Sequence, residues 1–213
     1  MVLNRASKKE ADARLSALRK AVSLQVFTLR YEDTACRETR GVAEELAETT
    51  SRLSVEINDV LESGDLVRRY RVDAIPAIVA TAKEAPELCI YGVPTAFGLL
   101  ALLEGIVALG APKEPGEGLM DQLSESKVRP GLRVDLVCSR RDQACAEAAS
   151  ALWRVAFASR YAVETVQPIF SLRILEDNPH FIHGHKSLPT LLTDGKPSLV
   201  WPFADTDIAA ALS

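Results

Sequence analysis

Ala11, Leu15, Leu18 and Val22 recur at helical spacing near the start of the chain, while Lys8, Lys9, Glu10 and Arg14 take other faces. That pattern predicts an amphipathic helix over residues 7–22. Beyond it, SLQVFTLRY (23–31) reads as a strand, TACRETRGVAEELAETTS (34–51) as a helix, RLSVEINDV (52–60) as a strand and SGDLVRRY (63–70) as a short helix. After Pro76, AIVATA (77–82) and ELCIYG (87–92) are short β-rich runs separated by Lys83, Glu84, Ala85 and Pro86, which is hairpin material. A helix from Pro94 to Leu109 closes the set.

Residues 110–131 change character: GAPKEPGEGLMDQLSESKVRPG holds four of the chain's eleven glycines and three of its eleven prolines, and reads as a linker with a helical turn or two around 119–126. The first pattern then restarts. LRVDLVC (132–138) reads as a strand, 143–160 as a helix, AVETVQPIF (162–170) as a strand and 178–183 as a short irregular or helical piece. Pro189 precedes TLLTD (190–194), a turn at Gly195, Lys196 and Pro197, SLVW (198–201) and a last helix from Asp207. Asp33-Thr34-Ala35-Cys36 and Asp142-Gln143-Ala144-Cys145 stand 109 residues apart at matching points of the two halves. Strand, helix and turn signals recurring together at that period indicate an internal duplication.

Composition narrows the class. Of 213 residues, 47% are hydrophobic and 25% charged, the range of an ordinary folded chain long enough for two units of about 100 residues. A net charge of -4 provides no general attraction to phosphate backbones, so nucleic acid is not an expected partner. The stretch 97–111 is apolar but short and carries Glu104, which argues for a buried helix and against a membrane span. The first twenty residues carry no apolar core of a secretory signal, so the expected location is cytoplasmic. Four cysteines, at 36, 89, 138 and 145, are too few for a disulfide framework and lack zinc-site spacing.

A β-α-β-α-Pro-β-β-α order, with a helix opening at Asp-x-x-Cys and a proline leading the third strand, is thioredoxin-like. VFTLRYEDTAC, RLSVEI, VRRYRVDAIPAIV and YGVPTAFGLLALLEGIV resemble the first half of the tandem-thioredoxin protein disulfide oxidoreductases, also called glutaredoxin-like proteins. The related amino-terminal module of the alkyl hydroperoxide reductase flavoprotein is similar. The resemblance is specific over 24–107 and looser over 133–213. It implies an α/β fold of two thioredoxin-like domains, each with a mixed four-stranded sheet flanked by helices: an extra N-terminal helix (1–23), domain 1 (24–110), a linker (111–131) and domain 2 (132–213).

In that register Asp33 and Asp142 stand at the first position of the family's C-x-x-C, and Cys36 and Cys145 at the second. Both copies lack the attacking cysteine. An aspartate there is suited to another task, because its carboxylate accepts N–H groups of the first helical turn and opposes ionisation of a thiol one turn on. The resemblance therefore implies a degenerate member, a pseudoenzyme without dithiol exchange that serves as a protein-binding or assembly module and needs no cofactor. The alternative is a monothiol or peroxide-related enzyme using Cys36 or Cys145.

Pro76 and Pro189 match the family's cis-proline, so Ile75-Pro76 and Leu188-Pro189 are the expected binding loops. Cys89 falls mid-strand and Cys138 ends a strand; a bridge between Cys138 and Cys145 is imaginable, but a cytosolic setting argues against a stable one. His180, His183 and His185 form the weaker alternative, a metal site, since His180 and His183 share a face if the segment is helical. Arg140 and Arg141, ahead of Asp142, are placed to meet an anion or a nearby carboxylate. Finally, Leu99, Leu100, Leu102, Leu103, Ile106 and Val107, and likewise Ala148, Ala149, Leu152, Trp153, Ala156 and Phe157, exceed what one sheet face can bury. Packing between domains is the expected cover, with a homo-oligomer or a protein partner as the alternative.

Overall fold

The computed structural model describes residues 2–29, 33–111, 116–125, 131–162, 168–174, 176 and 188–212. Asn4 opens helix α1 (Arg5–Leu15), its side-chain oxygen accepting the Ser7 N–H at 2.9 Å and satisfying one of the donors a helix start leaves without an intrahelical partner. The helix stops well short of the expected Val22. Ala17 and Leu18 amides turn back to the Arg14 and Leu15 carbonyls, a tightened last turn, and the Arg19 and Lys20 amides both donate to the Gly110 carbonyl at 2.8 Å. Leu18 and Val22 are buried as the periodicity required, but Val22 is there as the first residue of a strand.

That strand is β1 (Val22–Thr28), followed by α2 (Thr34–Ala47), β2 (Leu53–Asp59), α3 (Gly64–Tyr70), β3 (Ala77–Ala82), β4 (Leu88–Tyr91) and α4 (Phe97–Gly110). Next come α5 (Glu117–Glu125), β5 (Arg133–Cys138), α6 (Gln143–Ala162), β6 (Ile169–Ile174), β7 (Thr190–Thr193), β8 (Lys196–Val200) and α7 (Asp205–Ala211). The strands make one sheet in the order β2-β1-β3-β4-β6-β5-β7-β8. β1 runs parallel to β2 and antiparallel to β3, and β5 runs parallel to β6 and antiparallel to β7. The order of the first four strands is thus repeated by the second four. The halves are not two closed sheets: β4 and β6 pair in parallel, Leu88 with Phe170 through Tyr91 with Arg173. Each would otherwise present an unpaired edge, and the pairing removes both.

The apolar helices are covered across the same junction. α4 lies against α6, the Trp153 indole N–H donating to the Ala101 carbonyl at 3.0 Å. Gly105 permits that approach, since a methyl group there would stand 3.2 Å from Trp153 Nε1. A smaller cluster of Phe27, Ala77, Val79, Cys89 and Tyr91 packs under Leu66, Val67 and Tyr70 of α3. Among the described residues no helix is long and apolar enough to cross a membrane.

Further boundaries differ from expectation. Of the strand expected over 162–170, residues 163–167 lie outside the described residues, Ala162 is still in α6, and the described strand is Ile169–Ile174. Ser171 and Arg173 interrupt the apolar run that would have marked it, yet both are buried because Asp135 receives them. The connection over 111–131 contains α5, in line with the helical turn or two expected around 119–126, and its Leu119 and Leu123 are buried. The turn near Gly195 is made by Asp194 and Gly195, both at positive φ, while Lys196 and Pro197 already belong to β8, an edge strand that tolerates a missing donor. The last helix begins at Asp205 instead of Asp207; Asp207 reaches back from its first turn to accept the Ala204 N–H at 2.6 Å.

Candidate functional site

The carboxyl ends of β1 and β5 lead to the starts of α2 and α6, and the same three kinds of position recur in each half. In the first, Asp33 is the N-cap of α2 and its Oδ1 accepts the Cys36 N–H at 2.8 Å. Cys36, in the first turn, is buried. The Ile75-Pro76 peptide is cis, and Pro76 precedes Ala77, which pairs with Phe27. One step along that register sets Pro76 opposite Thr28, the last residue of β1.

In the second half, Asp142 Oδ1 accepts the Ala144 N–H at 3.0 Å at the start of α6. The Leu188-Pro189 peptide is cis, and Pro189 precedes Thr190, which pairs with Val137. One step further sets Pro189 opposite Cys138. Here the strand-end residue and the first-turn cysteine are both sulfur-bearing, and they are joined: Cys138 and Cys145 form a disulfide with Cα atoms 5.5 Å apart. The expectation against such a bridge is therefore corrected. A seven-residue separation hides how close a strand end and the returning helix start come. Both cysteines are fully buried in the main core.

The segment spanning the bridge is held at both sides. Ser139 Oγ donates to Glu176 at 2.5 Å, the Arg140 N–H reaches the same carboxylate at 3.2 Å, and the Phe97 N–H of α4 donates to the Arg140 carbonyl at 3.1 Å. Burial opposes ionisation of Glu176, but the Ser139 hydroxyl, backbone N–H groups and the Arg140 charge outweigh it and hold its carboxyl below the usual range. Arg140 therefore serves a carboxylate. Burial pushes the Cys89 thiol up to about 12, so it is protonated at neutral pH. His180, His183 and His185 lie outside the described residues, and among the described residues no group of three metal-capable side chains gathers.

Two features had no signal in the sequence. An ion network with a buried centre joins the halves: Arg173 donates to Asp135 at 2.8 Å and to the more exposed Asp73 at 3.0 Å, Arg133 reaches both carboxylates, and the Arg173 guanidinium lies 4.1 Å from the Tyr91 ring centre. Asp73 lies three residues before Pro76, so strands of the second half grip the loop of the first. The other feature is a groove of about 710 Å³ between α4, α6 and residues 201–206, lined by Phe97, Leu100, Trp201 and Phe203 and edged by the Arg14–Glu104 and Arg154–Asp205 pairs. Trp201-Pro202 is a third cis peptide.

No family model matches the chain, and no curated protein sequence matches it at a significant level. Solved structures do. The N-terminal domain of the alkylhydroperoxide reductase AhpF from Enterococcus faecalis superposes with a TM-score of 0.84 at 17% identity, covering 99% of this chain and 100% of that one. A protein disulfide oxidoreductase from Aeropyrum pernix gives 0.82 at 14% identity, covering 98% of this chain and 91% of that one. The fold is thioredoxin-like. In a helix start that follows a central strand, the macrodipole and unpaired N–H groups favour a thiolate. Both such starts in this thioredoxin-like chain carry an aspartate, and the sulfur of each half lies deeper.

Proposed function

We propose that the chain is a tandem of two thioredoxin-like units, 24–110 and 132–213, with an extra N-terminal segment (1–23) and a connection over 111–131, and that it acts as a protein-binding or assembly module without C-x-x-C dithiol exchange. The observation that carries this reading is the paired helix starts. The carboxylates of Asp33 and Asp142 take the first-turn N–H groups that would otherwise stabilise a thiolate. Cys36 is only 1% exposed and Cys145 is bridged, which leaves neither poised for monothiol or peroxide chemistry.

Binding needs no thiol. Pro76 and Pro189 are buried while Ile75 and Leu188 ahead of them are half-exposed, so an extended partner segment would find backbone at those two positions.

Iodoacetamide applied to the native protein at neutral pH and read cysteine by cysteine tests the first part. Cys36 and Cys89 should label only after denaturation, and Cys145 only after denaturation and reduction; fast labelling of Cys36 or Cys145 overturns the reading. Asp33→Cys should confer reductase activity on a disulfide-bonded reporter protein, and no gain would refute the register. A photocrosslinking side chain placed at Ile75 or Leu188 should trap protein partners that the same group at the exposed Leu61 does not. Equal trapping at all three positions would remove the binding role.

A further inference from the structure

We propose that Cys138 and Cys145 are a reversible thiol–disulfide site, opened by dithiol reductants and closed by disulfide oxidants, whose state sets the order of the first turn of α6. This stands apart from the binding role above, and neither requires the other.

The comparison within the molecule carries the argument. Thr28 and Cys36 hold, in the first half, the positions that Cys138 and Cys145 hold in the second, and that half packs with a hydroxyl where the second has sulfur. A bridge at this corner is therefore not something the fold demands. Nor does it join distant parts: Cys138 is already fixed in β5 by its pairing with Ile174 of β6, and α6 already has Asp142 at its start. A link that the architecture can do without, between two elements otherwise secured, can open without loss of the fold. Its local effect is direct, because Cys145 sits in the first turn of α6, and Gln143, Ala146 and Glu147 of that turn and the next line the groove beside Trp201 and Phe203.

The chemistry balances with a dithiol as reductant. One of its thiolates attacks a bridge sulfur, the S–S bond breaks, and the other cysteine departs as a thiolate that takes a proton. The second thiol of the reductant then displaces the mixed disulfide. Both protein cysteines end as thiols, the reductant ends as its own disulfide, and two electrons and two protons have passed to the protein. A disulfide oxidant reverses each step. Because both sulfurs are buried, entry requires the 139–142 segment to lift from Glu176 and from the start of α4. Exchange should accordingly accelerate in low, non-denaturing urea.

The test counts thiols in the full chain. Purified without reductant and alkylated after denaturation, the protein should carry two labels, on Cys36 and Cys89. Incubated natively with dithiothreitol and then alkylated the same way, it should carry two more, with its circular dichroism unchanged. Oxidised glutathione should return it to two. Hydrogen exchange read over 143–148 should show protection lost on reduction and regained on oxidation, with Cys145→Ser and Cys138→Ser resembling the reduced form. Four labels even after oxidised glutathione would overturn the site, and a bridge that resists dithiothreitol until the protein is unfolded would make it a staple. Protection at α6 equal in both states would overturn the coupling. If either variant fails to fold, the wild-type measurements alone decide.

Discussion

Thr28 and Cys138 occupy the same place in the two half-sheets, each one step beyond the last antiparallel pair of its strand and each opposite a cis-proline, Pro76 or Pro189. Thr28→Cys should therefore bridge to Cys36 and give the first half the link that the second half has. Non-reducing peptide mapping checks this: the variant should lose the Cys36 thiol and leave Cys89 as the one alkylatable cysteine of the oxidised protein. A persistent Cys36 thiol would show that the extra residue between Thr28 and Cys36 spoils the match.

Loss of the α2 cap should be felt in stability. Asp33→Ala leaves the Cys36 N–H without its acceptor and should cost about 1 kcal/mol, a fall in Tm of roughly 2–4 °C for a chain of this size. Asp33→Asn, which keeps an acceptor oxygen, should lose much less. Thermal melts of the two variants distinguish a capping role from a purely electrostatic one.

Removing Asp135 strands a charge. Arg173 is 1% exposed and would lose its closest carboxylate, so Asp135→Ala should cost about 3–5 kcal/mol in urea unfolding. Adding Arg173→Met should recover much of that, since an apolar pair does not carry the desolvation cost. If the double variant is as unstable as the single one, the network stabilises the junction by more than charge balance.

Gly105→Ala sets helix propensity against packing. Alanine favours a helix by about 1 kcal/mol over glycine, but the new methyl would press on Trp153 at 3.2 Å and Leu88 at 3.4 Å, both buried and unable to yield. Net destabilisation of about 1–2 kcal/mol is expected, measured by equilibrium unfolding. A stabilised variant would mean that α4 and α6 have room to part.

Glu45 links α2 to the amino-terminal segment, accepting from the Val2 and Leu3 amides and pairing with Lys8 at 3.0 Å. Burial resists its ionisation, but the two amides and Lys8 prevail and lower its pKa below the ordinary value of 4.5. The sign follows: the unfolded chain takes up this proton first as pH falls. The stability contributed is fully present above about pH 4.5 and is lost below it, through the lower folded value. Glu45→Gln should be less stable than wild type at neutral pH, and the gap should close as acid melts approach pH 3.

Much of this architecture is legible in local pattern. Residues 77–82 form the strand that their apolar run announces, and the Asp-x-x-Cys tetrads open helices where capping chemistry puts them. The misreadings share one physical cause, which is that a residue's partner lay elsewhere in the chain. Ser171 and Arg173 look like strand-breaking polar residues until Asp135 is seen to receive them. At the site, the aspartates and the two prolines were visible, and the pair Cys138 and Cys145 could be named from the sequence, but the closeness that joins them could not.

By itself the sequence determined the order of elements, their repetition, the aspartates at the two helix starts and the positions of Pro76 and Pro189, because each of these is written in short-range periodicity, capping residues and spacing. Only the tertiary structure decided that β4 and β6 fuse the halves into one sheet, that Asp73 meets Arg173 across 100 residues, and that a strand-end sulfur turns to face a helix start. Those relationships depend on which surfaces and edges find each other when the chain closes, and no local pattern carries that information.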